Sequence, residues 1–191
     1  MEHWRELNGF PHYYISNYGN VRQDEIKTKT PRGRVWINKA KTLTFVIDPV
    51  GYLKVTVTDY SKPQTKAGRY PRKILPVSRL VAIHFLPNFK RLGEVDHKDR
   101  DRANNHYYNL RWVDHSTNQL NKGTPKTNTS GHRNISRYVR KNRNNKVSWK
   151  VQIKYNNGKV KGKAFDYTDE GLQKAIVWRD EFLKSVGAII Q

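Results

Sequence analysis

The stretch Val95-Asp96-His97-Lys98-Asp99-Arg100-Asp101-Arg102-Ala103-Asn104-Asn105-His106-Tyr107-Tyr108-Asn109-Leu110-Arg111-Trp112-Val113-Asp114-His115-Ser116-Thr117-Asn118 decides how the chain is organised. Glu94 to His97 reads as a short strand that ends on an acidic residue followed by a histidine. A polar loop of Lys, Asp, Arg and Asn runs to Asn109, and Leu110 to Val113 reads as a second strand. Asp114 is a good N-cap, so a short helix through Asn118 is expected after it. The predicted order is strand, long loop, strand, helix.

That order places Asp96 and His97 at the end of one strand and Asn118 on the helix that follows. A hard divalent cation binds through oxygen and keeps several waters, so one carboxylate (Asp96), one amide oxygen (Asn118) and substrate phosphate oxygens could hold it. Neutral His97 beside it could take a proton from water. Asn109, between the strands, could hold the imidazole in a useful orientation.

Asp96-His97, Asn109 and Asn118 resemble the signature of the HNH nucleases, and more narrowly the phage or intron homing branch. Asn109 lies twelve positions after His97, and Asn118 nine positions further on. The resemblance implies a ββα-metal core with His97 as general base and Asn109 as the residue that positions it. It implies Asp96 and Asn118 as ligands of one divalent cation, Mg²⁺ first and Mn²⁺ as the alternative. Asparagine in the third slot, where many members have histidine, is a variant of the homing branch.

Composition points the same way. Across 191 residues the net charge is +21, a field that favours a polyanionic partner. The basic residues are interleaved with 5 Trp, 11 Tyr and 6 Phe, which suits nucleic acid better than a lipid surface. The sequence shows neither a long apolar run nor a leader-like N-terminus, so the expectation is a cytoplasmic protein (host cytoplasm if phage-encoded) that does not engage a membrane. Zero cysteines exclude disulfides, thiolate zinc sites and cysteine nucleophiles.

Residues 1–75 read as a small β-rich region. Trp4 and Phe10 lead into Tyr13-Tyr14-Ile15-Ser16-Asn17-Tyr18-Gly19-Asn20-Val21, where Asn-Tyr-Gly-Asn supplies a turn between two strands. This piece resembles the nuclease-associated modular motif found ahead of HNH domains. Residues 24–42 are rich in Lys and Arg and read as a solvated loop or edge. Thr42–Ile47 and Tyr52–Thr58 read as a strand pair around Asp48-Pro49-Val50-Gly51, and Ser61–Arg72 as a basic loop. Val77, Leu80, Val81, His84 and Phe85 fall on one helix face, ended by Pro87. His84 is expected to be a packed, hydrogen-bonded residue, and Leu110 and Trp112 to be core.

The expected domains are 1–75, the nuclease core 76–122, a linker 123–131 and a C-terminal domain 132–191. Asn134–Tyr138, Ser148–Tyr155 and Lys159–Phe165 read as three strands, with Asn156-Asn157-Gly158 turning the last two into a hairpin. Thr168 can cap a helix through about Lys184, whose apolar face is Leu172, Ala175, Ile176, Phe182 and Leu183. The fold class is therefore α+β: a β-rich N-terminal region, a ββα core, and a three-stranded antiparallel sheet with one packed helix. Ser130-Gly131, Ile135-Ser136, Trp149-Lys150-Val151-Gln152-Ile153 and Lys163-Ala164-Phe165-Asp166 resemble the DNA-binding domain of plant ethylene-response factors. From residue 126 onward 15 Lys/Arg stand against 5 Asp/Glu. Lys150, Gln152, Lys154, Arg137, Arg140 and Arg111 are the candidate DNA contacts.

The reading is a metal-dependent DNA endonuclease, expected to be a monomer that nicks one strand of double-stranded DNA. Two alternatives are a catalytically inactive, sequence-specific DNA-binding regulator and a structural RNA-binding protein. The intact Asp96/His97/Asn109/Asn118 set argues against the first. The second lacks the ring-stacking motifs of the common RNA modules.

Overall fold

The computed structural model describes residues 1–29, 33–65, 67–141, 145–155 and 158–188. The chain divides into two compact units, Met1–Trp112 and Val113–Gln191. The architecture is α+β.

In the first unit the strands are β1 (Trp4–Leu7), β2 (Phe10–Ser16), β3 (Val21–Gln23), β4 (Ile26–Lys29) and β5 (Val35–Asn38). There follow β6 (Lys41–Thr42), β7 (Val46–Ile47), β8 (Leu53–Thr58) and β9 (Arg72–Pro76). One sheet has the order β1-β2-β3-β6 and another β7-β8-β9, both antiparallel. Alternation explains which faces are buried. Val55 and Val57 of β8 point into the core while Thr56 points out, and Tyr13 and Ile15 do the same in β2. Helix α1 (Val77–Phe85) buries Val77, Leu80, Val81 and His84, the i, i+3, i+4, i+7 stripe. Tyr13, Ile15, Val55, Val57, Val77, Leu80, Val81 and Leu110 belong to one apolar core.

One local expectation is sharpened and another corrected. Of the solvated loop or edge expected for residues 24–42, the described residues form the edge: β4 and β5 pair as an antiparallel ribbon, with Val35, Trp36 and Ile37 exposed and Arg34 over the Trp36 ring. Low apolar content hid a ribbon whose pairing is local and which sends only Ile26, among its described residues, into the core. Residues 42–47 are not one strand. Thr42 pairs with Arg22 of β3, Val46 pairs with Lys54 of β8, and Leu43 and Phe45 between them pack on the core. Two inward side chains carry the chain from one sheet edge to the other. Strand β9, at the end of the expected 61–72 loop, completes the second sheet.

Strand β10 (Glu94–His97) pairs with β11 (Leu110–Val113), and α2 (His115–Leu120) follows. The Asp114 side chain accepts from the Thr117 backbone N–H at 2.8 Å, the N-cap bond that starts α2. His84 donates from Nδ1 to Leu80 O at 2.8 Å and accepts at Nε2 from the Asn8 N–H at 3.2 Å. That is the packed, bonded histidine expected.

The second unit holds β12 (Ile135–Arg140), β13 (Lys146–Tyr155), β14 (Lys159–Asp166) and α3 (Asp169–Ser185). The strands form an antiparallel sheet in chain order. Ile135, Val151 and Ile153 pack with Ala175 and Leu183 of α3 and with Leu120 of α2. Burying one such aliphatic side chain is worth about 1.5–3 kcal/mol, so Leu120 gives α2 a firm seat on this sheet. Thr168 caps α3 by accepting from the Gly171 N–H at 3.0 Å. Within the expected linker, Asn128 and Ser130 bond the carbonyls of His132 and Ile135, which ties the segment to the start of β12. Asn156 and Asn157 of the expected hairpin turn lie outside the described residues; the strands on either side pair from Tyr155↔Lys159 onward. Among the described residues no helix is long and apolar enough to cross a membrane.

Candidate active site and nucleic-acid face

β10 ends with Asp96 and His97 side by side, 7% and 3% exposed. Two adjacent polar side chains at the end of a strand stay in a folded core only when partners satisfy them. Arg111, on the neighbouring β11, supplies the partner of Asp96: Nε and Nη2 lie 3.0 and 2.9 Å from Oδ2. The His97 ring meets Asn105 Oδ1 at Nε2, 3.1 Å away, and Tyr52 at a centroid distance of 5.8 Å.

Asn109 works on the loop rather than on the ring. Its Nδ2 donates to Asp99 Oδ1 and to Asn104 O, both at 2.8 Å, and its Oδ1 accepts from the Asp99 N–H at 3.1 Å. The Lys98 N–H bonds Asn109 O at 2.8 Å, and the Arg100 N–H bonds His97 O at 3.1 Å. Burial pushes the Asp99 carboxyl up, but hydrogen bonds from Asn104 and Asn109 outweigh it and hold Asp99 below the usual carboxylate range. The loop 98–106 is therefore a bonded ring closed by Asn109.

The structure brings Asp96, His97 and Arg111 together in the first unit, with Asn109 one loop away. Asn118 is carried by α2 in the second unit, its backbone N–H bonded to Asp114 O at 3.0 Å. Among the described residues there is no group of three His, Asp or Glu side chains that could hold a metal. In the first unit the candidate donor is the Asp96 carboxylate, a hard oxygen ligand at the end of β10. Such a sparse set fits a cation that keeps most of its waters and takes phosphate oxygens from a substrate, which is how Mg²⁺ is commonly held. It does not fit a zinc cage.

Two features of the site were not anticipated from sequence. The Arg111–Asp96 pair had a signal, because a cation and a carboxylate on paired strands attract one another. Asn105 had none: in a loop of Asn, Asp and Arg, no periodicity says which amide turns inward.

In the second unit, the pairings Ser136↔Lys150, Tyr138↔Ser148 and Arg140↔Lys146 put these side chains on one face of the sheet. Gln152 and Lys154 share the parity of Lys150. Gly162, opposite Gln152, leaves room there; a Cβ on it would meet Val151 O at 2.9 Å. A groove on this face is lined by Tyr138, Arg140, Lys146, Lys150 and Gln152. Arg137 pairs with Trp149 and so points to the other face, with its guanidinium 5.6 Å from the Tyr167 ring centroid. Of the six candidate DNA contacts, Lys150, Gln152, Lys154 and Arg140 thus share a face. Arg137 is on the reverse side and Arg111 is engaged with Asp96.

Comparison with known proteins adds to this geometry. Residues 76–120 match a family model described as HNH endonuclease, and residues 2–58 match the NUMOD4 motif. The DNA endonuclease I-HmuI of Bacillus phage SP01 is 33% identical over 125 residues, covering 63% of this chain and 59% of that protein. An uncharacterized HNH endonuclease of Acanthamoeba polyphaga mimivirus is 30% identical over 115 residues, 60% of this chain and 28% of that one. A solved structure, "DNA binding and cleavage by the HNH homing endonuclease I-HmuI", covers 62% of this chain and 56% of its own at 34% identity, with a TM-score of 0.45. The chain therefore spans less than two thirds of the curated relatives it matches.

Proposed function

We propose that this chain, whose residues 76–120 match the HNH endonuclease model and residues 2–58 the NUMOD4 motif, is a metal-dependent DNA endonuclease of the homing type. It hydrolyses phosphodiester bonds and nicks one strand of double-stranded DNA. The single observation that carries this reading is the buried Asp96–His97 pair, with a different neighbour holding each side chain. The DNA endonuclease of Bacillus phage SP01, similar over 125 residues, supports DNA as the substrate class. The charge of +21 supports a polyanion generally.

In this mechanism His97 takes the proton of the attacking water as its oxygen approaches phosphorus, and the leaving oxygen departs as the new bond forms. Asn109 keeps the loop 98–106 closed beneath the base. Asp96 would offer a carboxylate oxygen and Asn118 an amide oxygen to one divalent cation, Mg²⁺ first and Mn²⁺ second. When bound, the cation supplies charge neutralisation at the scissile phosphate and leaving oxygen. Arg111 pairs with Asp96 through Nε and Nη2. Lys150, Gln152, Lys154 and Arg140 lay the sheet of the second unit against DNA, as β-sheet readers do. The protein acts as a monomer in the cytoplasm of the cell that makes it. One site per monomer makes nicking the default product.

The test is cutting of supercoiled and long phage DNA with Mg²⁺, Mn²⁺ or EDTA, by wild type and by His97→Ala. Relaxed circles that need metal and wild-type protein are expected, with a loss of about 10²–10⁴-fold in rate for the variant. If both proteins bind DNA and neither cuts a panel of genomic sequences, the inactive regulator replaces the enzyme.

A further inference from the structure

The His97 imidazole has one nitrogen, Nε2, within bonding distance of Asn105, and the Asn105 amide has a fixed orientation. Its Nδ2 donates to Ala103 O at 3.1 Å, so Oδ1 is the atom that faces the ring, also at 3.1 Å. An amide oxygen can only accept. The ring hydrogen therefore sits on Nε2, and Nδ1 is the basic nitrogen of the neutral ring. Asn105 is 4% exposed, and a buried amide bonded at both ends does not swivel without breaking a bond.

What keeps Asn105 there is the turn that follows β2. Gly19 has φ +89°, and a Cβ on it would lie 2.9 Å from Asn105 Cβ and 3.4 Å from Asn105 O. The Tyr107 N–H donates to Asn17 O at 2.9 Å, and the Tyr18 and His106 rings stack at 4.6 Å. Residues 17, 18 and 19 thus contact residues 107, 106 and 105 in turn. The turn is itself anchored: Asn17 is 5% exposed and its Oδ1 accepts from the His3 N–H at 2.7 Å. Both the close approach and the positive φ require glycine at position 19.

We infer that Asn105 is the positioning residue of the base, fixing the His97 hydrogen on Nε2, and that the Asn17–Gly19 turn of the N-terminal motif is the clamp that holds Asn105 in place. The motif is then part of the nuclease machinery, with no DNA contact required of it. This rests on the nuclease reading for its catalytic consequence, while the tautomer itself does not.

Two measurements test it. Long-range ¹H–¹⁵N correlation on metal-free protein, at a pH above the usual imidazole range, reads the His97 tautomer directly. The Nε2–H form is expected in wild type and a mixture of both forms in Asn105→Ala. In cutting assays Asn105→Ala is expected to lose about 100-fold in kcat with an unchanged KM for DNA, since a misplaced base slows only the chemical step. Asn105→Asp keeps an accepting oxygen toward Nε2 but loses the bond to Ala103 O, and is expected to recover part of that loss. Thermal unfolding and DNA affinity of each variant separate a folded protein from a collapsed one. An Nδ1–H tautomer in wild type overturns the inference, and so does Asn105→Asp as slow as Asn105→Ala. Wild type that cuts no DNA overturns the nuclease reading alone, and the tautomer then still decides the role of Asn105.

Discussion

His97 and Lys150 sit in units that treat polar side chains in opposite ways. In the first unit Ser16, Asn17, Gln23, Asp59, Asp96, His97 and Asn105 are all buried, and most have a named partner at hydrogen-bond distance. In the second, Asn121 is the buried polar residue among those described, while Gln152, Lys154 and Arg140 stand open on the sheet. The lesson is about what each arrangement can do. A buried network holds one atom in one place, which chemistry needs. An open basic face acts through its summed field and tolerates exchange of one cation for another.

That contrast can be broken first by damaging one unit's core. Ile153→Ala removes a fully buried side chain and is expected to cost the second unit about 2–5 kcal/mol. Hydrogen exchange should show peptides from 135–183 losing protection while peptides spanning 10–16 and 53–58 keep theirs. Loss in both sets together would mean that the units are one cooperative body. A smaller effect is expected from the open face. Replacing Lys150 and Lys154 together by Ala should reduce the slope of log K against log salt by about two and leave kcat at saturating DNA unchanged. A fall in kcat comparable with that of His97→Ala would place these lysines in the chemistry instead.

The smallest expected effect is acid sensitivity. In the first unit the Tyr52 N–H and Lys54 hold Asp48 below the usual range, and Ser61 does the same for Asp59. Asp99 is held low by Asn104 and Asn109 against the opposing effect of burial. A carboxyl whose folded value lies below its unfolded one stabilises the fold fully above the unfolded value. That contribution is lost as the pH falls through the folded value. Peptides 48–60 and 98–109 should therefore lose exchange protection at a higher pH than peptides 146–155 of β13, which carries no acidic residue. The reverse order would show that these turns do not rely on their carboxylates.

Much of this was legible before any coordinates. Periodicity located α1 through Val77, Leu80, Val81 and His84, and β8 through Val55 and Val57, because a buried stripe must repeat at the period of its element. Caps located α2 and α3 at Asp114 and Thr168. The β4–β5 ribbon escaped because its pairing is local and, with Ile26 buried but Val35, Trp36 and Ile37 all exposed, no alternation into a core marks it. Residues 42–47 were read as one strand because local β-propensity cannot see that Leu43 and Phe45 turn inward between two sheets.

By itself the sequence determined the α+β class, the strand–loop–strand–helix order, and the adjacency of Asp96 and His97, because covalent neighbours and local periodicity are properties of the chain. Only the tertiary structure decided that Arg111 serves Asp96, that Arg137 and Lys150 lie on opposite faces, and that Asn105 rather than Asn109 meets the His97 ring. Those are through-space pairings of polar atoms. They are chosen by which buried donor and acceptor must satisfy each other once the strands are in register, and spacing along the chain carries no record of that choice.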